Sequence, residues 1–190
     1  MLRWLYNETI RPYLPRKVIV HNGVPARTGY LLDSTDHREN WKKPLLNAIR
    51  DQSLEGRKIV EVGGGTGICT AELAKRSSRK GEVISYEADA DSIETMEETL
   101  KLNKVRDIVT VREEYLKSVD IPCDILVLDC EGSEKNILER EHGNPKTVIV
   151  ETHPSYGVSN EVVQEILTAS GYTNPILHNG SETDVIEAHL

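Results

Sequence analysis

The chain contains no phenylalanine, and aromatic residues make up only 5% of it. A core without phenylalanine has to rest on valine, isoleucine and leucine, the composition of parallel strands buried on both faces. Cysteine is scarce too. Cys69, Cys123 and Cys130 are odd in number, form no Cys-x-x-Cys pair and sit in apolar segments. That excludes a disulfide framework or zinc set and reads as reduced core residues. No window reaches the roughly 20 apolar residues of a membrane span, since Arg3, Asn7, Glu8 and Arg11 already interrupt the start. A cytoplasmic protein without membrane contact is expected. Positive charge is in the minority, with a formal net charge of −8. Such a chain repels a phosphate backbone unless its basic residues cluster. The densest basic stretches are residues 11–17, broken by Pro12 and Pro15, and 75–80, which reads as the end of a surface helix. A nucleic-acid partner is therefore not expected. The sequence carries no mark of an oligomeric state.

What is present divides into two textures. Residues 1–55 hold Pro12, Pro15, Pro25 and Pro44, half of the eight prolines, and both tryptophans, Trp4 and Trp41. They read as a short N-terminal extension, a candidate lid, with strands at 17–20 and 28–32 around an Asn22-Gly23 turn. A helix over about 37–51 follows, with Trp41, Leu45, Ala48 and Ile49 on one face. Residues 56–190 are more regular. Apolar strands at 59–62, 83–86, 108–111, 124–128 and 147–150 alternate with helical patterns. A helix is expected over 66–75, and others after Asp89, after Ser133 and around Val162 to Leu167, the last stopped by Gly171. This alternation means a mostly parallel sheet with helices on both faces. The tail differs. Strands at 174–178 and 184–188 are separated by a link too short for a crossover, so they form an antiparallel hairpin. The fold class is α/β and Rossmann-like.

In such a sheet, ligands bind beyond the carboxyl ends of the strands. Glu61-Val62-Gly63-Gly64-Gly65-Thr66-Gly67 occupies that place after the first strand of the regular region. Glycines there permit positive φ and close approach of a ligand to the backbone. A dinucleotide loop asks for Gly-x-Gly-x-x-Gly, and Ile68 stands where its third glycine would be; a P-loop pattern is absent. The acid-x-Gly-x-Gly-x-Gly form resembles the first motif of S-adenosylmethionine-dependent methyltransferases. That resemblance implies a cofactor site using Glu61, Gly63, Gly65, Thr66 and Gly67. Glu87 ends the next strand, where an acid can accept both ribose hydroxyls of an adenosine. Ala88 and Asp89 would line the adenine side. Glu113 and Glu114 follow the third strand, where an acid could meet the adenine amino group or simply be solvated.

A longer stretch narrows the resemblance. The fourth strand ends in Leu128-Asp129-Cys130-Glu131-Gly132-Ser133-Glu134, and the fifth in Val150-Glu151-Thr152-His153-Pro154. With Tyr86-Glu87-Ala88-Asp89 and Leu100-Lys101-Leu102-Asn103, this order resembles the FkbM-type class I methyltransferases over about residues 55–155. The loop departs from that family's Asp-x-Gly-Ala-Asn-x-Gly. The resemblance implies methyl transfer to a hydroxyl oxygen of a sugar or other small molecule. The alternatives are a methyltransferase acting on nucleic acid or protein, and a non-catalytic module that binds S-adenosylmethionine.

Methyl transfer to an alcohol needs a nucleophile held near attack and a base for its proton. Asp129, Glu131 and His153 lie at carboxyl ends of central strands. Asp129 and Glu131 are expected to orient acceptor and cofactor, with His153 or Glu131 as the base. Each has a plainer reading: Glu131 as a helix-terminal acid, His153 as a loop residue. His37 could cover the cofactor from the N-terminal segment or start a solvated helix. Nothing in the spacing fixes a metal set, and no metal is expected.

Overall fold

The computed structural model describes residues 9, 13–14, 16–30, 41–113, 122–140, 144–181 and 183–190. The expectations for His37 and Glu114 lie outside them.

Two strands, β1 (Arg16–His21) and β2 (Val24–Tyr30), form an antiparallel hairpin. Its Asn22-Gly23 turn has φ of 48° and 90°. Two consecutive positive φ values match the right-handed twist of the flanking strands, and Asn-Gly is the pair that tolerates them. The second strand begins four residues earlier than the β-branched pattern indicated, because register is set by the turn. Helix α1 (Lys43–Asp51) follows; Lys42 precedes it in a left-handed conformation, and Pro44 sits in its first turn. Pro44 favours a helix start here, so Trp41 lies before α1 and not on its face.

The regular region reads β3 (Lys58–Val62), α2 (Ile68–Ser77), β4 (Glu82–Tyr86), α3 (Ala90–Leu102), β5 (Val109–Arg112) and β6 (Ile125–Leu128). It continues with α4 (Glu134–Leu138), β7 (Thr147–Glu151), α5 (Asn160–Ala169), β8 (Thr173–His178) and β9 (Val185–His189). The seven strands run in the order β5-β4-β3-β6-β7-β9-β8. Pairings from β5 to β7 are parallel, while β9 is antiparallel to both β7 and β8. The expected Rossmann-like sheet with a terminal antiparallel hairpin is therefore observed.

Alternation along the strands divides the core. Ile59, Val83, Val127 and Ile149 face one layer, with α1, α2, α3 and the hairpin residues Val24 and Ala26. Val60, Val62, Leu126, Leu128, Val148 and Val150 face the other, against α4, α5 and Tyr172. The N-terminal hairpin thus shares the first layer's core. Local capping follows the sequence in two places. Asp89 accepts from Ser92 N at 2.8 Å, and Gly171, at φ 91°, follows α5 with Tyr172 N donating to Leu167 O, the 6→1 bond of a glycine stop. It departs in two others. Helix α2 starts at Ile68, not at Thr66, because Gly67 is left-handed. Ser133 makes no side-chain cap bond to α4; Glu134 binds the turn's N–H groups instead. Among the described residues, no helix is long and apolar enough to cross a membrane.

Candidate active site

At Gly63, Gly64 and Gly67 the crossing from β3 to α2 is built by contacts that leave no room for a side chain. Gly63 N and Gly64 N both donate to Tyr86 O, at 2.9 and 3.1 Å. Gly63 has φ +88°, and a Cβ there would lie 1.9 Å from Asp129 O. A Cβ on Gly64 would lie 2.2 Å from Ser85 Oγ, and one on Gly67 2.8 Å from Met96 Cγ. The loop is therefore pressed against its neighbours on one side, and its other side opens on a cavity of about 550 Å³. That cavity is lined by Gly63, Gly65, Thr66, Glu87, Ala88 and Asp129, among others.

Glu61 and Glu113 lie elsewhere. Glu61 shares the sheet face of Ile59 and is 1% exposed, beneath Gly64. Its Oε2 accepts from Thr70 Oγ1 and Ser85 Oγ, both at 2.6 Å. Burial raises its pKa, and the two hydroxyls pull the other way. Strand alternation directs this side chain under the loop, so it ties α2 to β4 there and does not line the cavity. Gly67 likewise sits behind the cavity, as the cap of α2. Glu113, one residue past β5, is exposed and outside the cavity lining.

Glu87 is at the cavity and already engaged. Its Oε2 accepts from Gly65 N at 2.7 Å, and its Oε1 from Ala88 N and Asp89 N at 2.8 and 2.9 Å. A carboxylate offers about four acceptor sites, so one remains for a ligand hydroxyl. Accepting two requires one of these three N–H groups to let go.

The end of the cavity nearest β6 and β7 holds a second constellation. Lys42 Nζ donates to Asp129 Oδ2 at 2.5 Å and to Glu151 Oε2 at 2.6 Å. Thr183 Oγ1 donates to Glu151 Oε1. His153 Nε2 is 3.8 Å from Asp129 Oδ1, and its Nδ1 is 2.8 Å from Glu134 Oε1. Glu134, fully buried, also accepts from Cys130 N and Gly132 N, each at 2.8 Å. Burial pushes the Asp129 carboxyl well above the usual range; the Lys42 charge opposes this and Glu151 adds to it. Burial acts the same way on Glu151, but Lys42 outweighs it and Glu151 ends below its usual value. For His153, burial favours the neutral ring, yet Glu134 and the neighbouring acids leave its pKa above 6.5. Glu131 has φ 48° and is exposed at the cavity rim.

A smaller cavity of about 160 Å³ adjoins these groups, lined by Trp41, Lys42, Pro44, Glu131, Glu151, His153, Ser181 and Thr183. Trp41, Lys42 and Glu131 line both cavities. Of the residues expected to act, Asp129, Glu131 and His153 are brought together here. Lys42 and the partnership of Glu134 were not foreseen. Glu134 and Glu151 stood in the quoted motifs; for Lys42 the sequence holds no signal, since the residue arrives from 87 positions before Asp129.

S-adenosylmethionine fits this arrangement. The glycine loop gives a wall with few side chains, and Glu87 keeps an acceptor for a ribose hydroxyl.

The family model described as "Methyltransferase small domain" matches residues 35–129, half of the chain. A ribosomal protein L11 methyltransferase of Bacillus cereus (strain ATCC 10987 / NRS 248) is 30% identical over 83 residues, 43% of this chain and 26% of that protein. The match thus spans about a quarter of such relatives. Among solved structures, an S-adenosylmethionine-dependent methyltransferase from Aquifex aeolicus aligns with TM-score 0.60 and 17% identity, over 77% of this chain and 87% of that one. An S-adenosylmethionine-dependent O-methyltransferase from Thermotoga maritima aligns with TM-score 0.62 and 18% identity, over 92% and 77%. The chain belongs to the methyltransferase small domain family and has the fold of S-adenosylmethionine-dependent methyltransferases.

Proposed function

We propose that this chain transfers a methyl group from S-adenosylmethionine to a hydroxyl oxygen of a small polar molecule, such as a sugar, with His153 as the base. The cofactor occupies the larger cavity, against Gly63, Gly65, Thr66, Glu87, Ala88 and Asp129. The acceptor enters the smaller one.

The observation that carries this reading is the Glu134–His153 pair at the cavity's end. With Nδ1 facing buried Glu134, the ring's Nε2 is left toward Asp129 and the cavity. A base whose other nitrogen lies against a buried carboxylate is oriented by that charge, most firmly once the ring is protonated. When bound, S-adenosylmethionine supplies an electrophilic methyl carbon, whose bond to sulfur breaks with its electron pair staying on sulfur as the acceptor oxygen bonds to carbon. His153 Nε2 takes the proton that the hydroxyl loses, and the ionised Glu134 beside Nδ1 stabilises the imidazolium so formed. Glu131, exposed at the rim, is less suited to be the base and contacts the acceptor. The segments Asp129 to Glu134 and Glu151 to His153 support an FkbM-type enzyme within the wider family.

Thermal unfolding with S-adenosylhomocysteine tests the cofactor. At 100 times its dissociation constant it stabilises the fold by about 2.7 kcal/mol; no shift, with a shift from NAD, overturns the reading. Incubation with methyl-labelled S-adenosylmethionine and cell extract tests the acceptor. Label in the small-molecule fraction, lost in His153→Gln, supports the proposal.

A protein acceptor is the second reading, favoured by the ribosomal protein L11 methyltransferase similarity. Label confined to the protein fraction selects it.

A further inference from the structure

Asp129, Glu151 and His153 each offer a ligand atom, and these atoms lie within 4.8 Å of one another. Two carboxylates and an imidazole form a donor set of the kind that holds a divalent metal. Both carboxylates are nearly buried, with side chains 11% and 6% exposed. Two buried carboxylates this close cannot both stay ionised without a cation. The cation present is Lys42, with its ammonium at hydrogen-bond distance from both. Lys42 comes from outside the strands that supply the three donors, and it is held by side-chain bonds across 87 and 109 positions.

We propose that Lys42 is the resident cation of this site, filling a three-donor cradle that becomes a divalent-metal site when the ammonium is removed. Lys42 is a positioning residue. It ties Glu151 to Asp129 and holds Asp129 near His153 Nε2, at the wall between the two cavities. It also explains how a site with metal-type donors is neutralised by the chain itself. An ammonium that makes two such bonds has one further donor, which the rest of the site can use to locate an acceptor oxygen. That last role rests on the methyltransferase reading above; the cradle does not.

Calorimetric titration with ZnCl2 and with MnCl2 tests the cradle on the full chain. The wild type is expected to bind no equivalent at this site. Lys42→Ala is expected to bind one equivalent, and to lose it in the double variants with Glu151→Gln or Asp129→Asn. Lys42→Arg, which keeps the charge, is expected to bind none. A folded Lys42→Ala protein that binds no metal overturns the proposal. So does a wild type that binds one equivalent in a manner abolished by Glu151→Gln. Should Lys42→Ala fail to fold alone, refolding with and without ZnCl2 poses the same question: recovery with metal supports the cradle, and no recovery overturns it. S-adenosylhomocysteine binding is followed in parallel. Its loss in the wild type counts against the methyltransferase reading and leaves the metal result standing.

Discussion

The Nδ1 of His153 lies 2.8 Å from Oε1 of Glu134, a carboxylate with no solvent exposure that also receives Cys130 N–H and Gly132 N–H. The β6–α4 turn and the segment after β7 are thereby joined through one acid. Its pKa lies below 4.5: burial opposes ionisation, but the bonds it accepts prevail.

The pair predicts a defined pH window. His153, raised above 6.5 in the fold, contributes stability that is full below 6.5 and lost as pH rises through its folded value. Glu134 contributes stability that is present above 4.5 and lost as pH falls through its lowered value. In an NMR titration the His153 ring should therefore show a midpoint above 6.5, and Glu134→Gln should lower it. An unchanged midpoint refutes the pairing. Methyl transfer, which needs the neutral ring, should rise with pH through the same midpoint.

Gly63 and Gly65 should respond differently to alanine, although both have positive φ. Gly63→Ala places a Cβ 1.9 Å from Asp129 O, whereas Gly65→Ala meets nothing within 4 Å. The left-handed backbone costs each about 1–2 kcal/mol. Overpacking adds a further ~1–3 kcal/mol at Gly63 alone. Urea unfolding should rank Gly63→Ala as the more destabilised. Similar losses at both positions would refute the close approach.

Glu61 is expected to matter for stability more than for contact with ligand. Glu61→Ala strands the buried hydroxyls of Thr70 and Ser85, at about 1–3 kcal/mol each. Glu61→Gln keeps a carbonyl acceptor and should lose less. Because its folded pKa is raised, wild-type Glu61 lowers stability as pH rises above 4.5, so the deficit of the Gln variant should shrink at neutral pH. Chemical denaturation of both variants at pH 5 and pH 8, taken as about the ends of the useful range, checks this.

Glu87→Ala removes the acceptor for three backbone N–H groups and the remaining site for a ribose hydroxyl. Losing a hydrogen bond to a charged group costs about 1.5–3 kcal/mol, so S-adenosylhomocysteine affinity should fall at least tenfold, read by calorimetry. Glu113→Ala, outside the cavity, should leave affinity unchanged. Equal losses for the two would place the adenosine elsewhere.

Much of this was legible in the sequence, because the determining interactions are local. Apolar runs at 59–62, 83–86 and 124–128 alternate with helical spacing, and that alternation alone requires a parallel sheet. Asn22-Gly23, Asp89 and Gly171 act through bonds a few residues long. The glycine loop had to follow β3 at a carboxyl end, and the short link between β8 and β9 admits only an antiparallel pair. The tertiary structure decided what lies far apart in the chain. It placed Glu61 under the loop, because which face of β3 a side chain takes depends on what packs against the sheet. It brought Glu134 to His153 across a strand and a helix. It brought Lys42 to Asp129 and Glu151 over 87 and 109 positions, a meeting with no periodicity or spacing to announce it. The glycine loop could thus be recognised from its neighbours in sequence, whereas the charge balance of the site exists only once β6, β7 and the start of α1 are packed together.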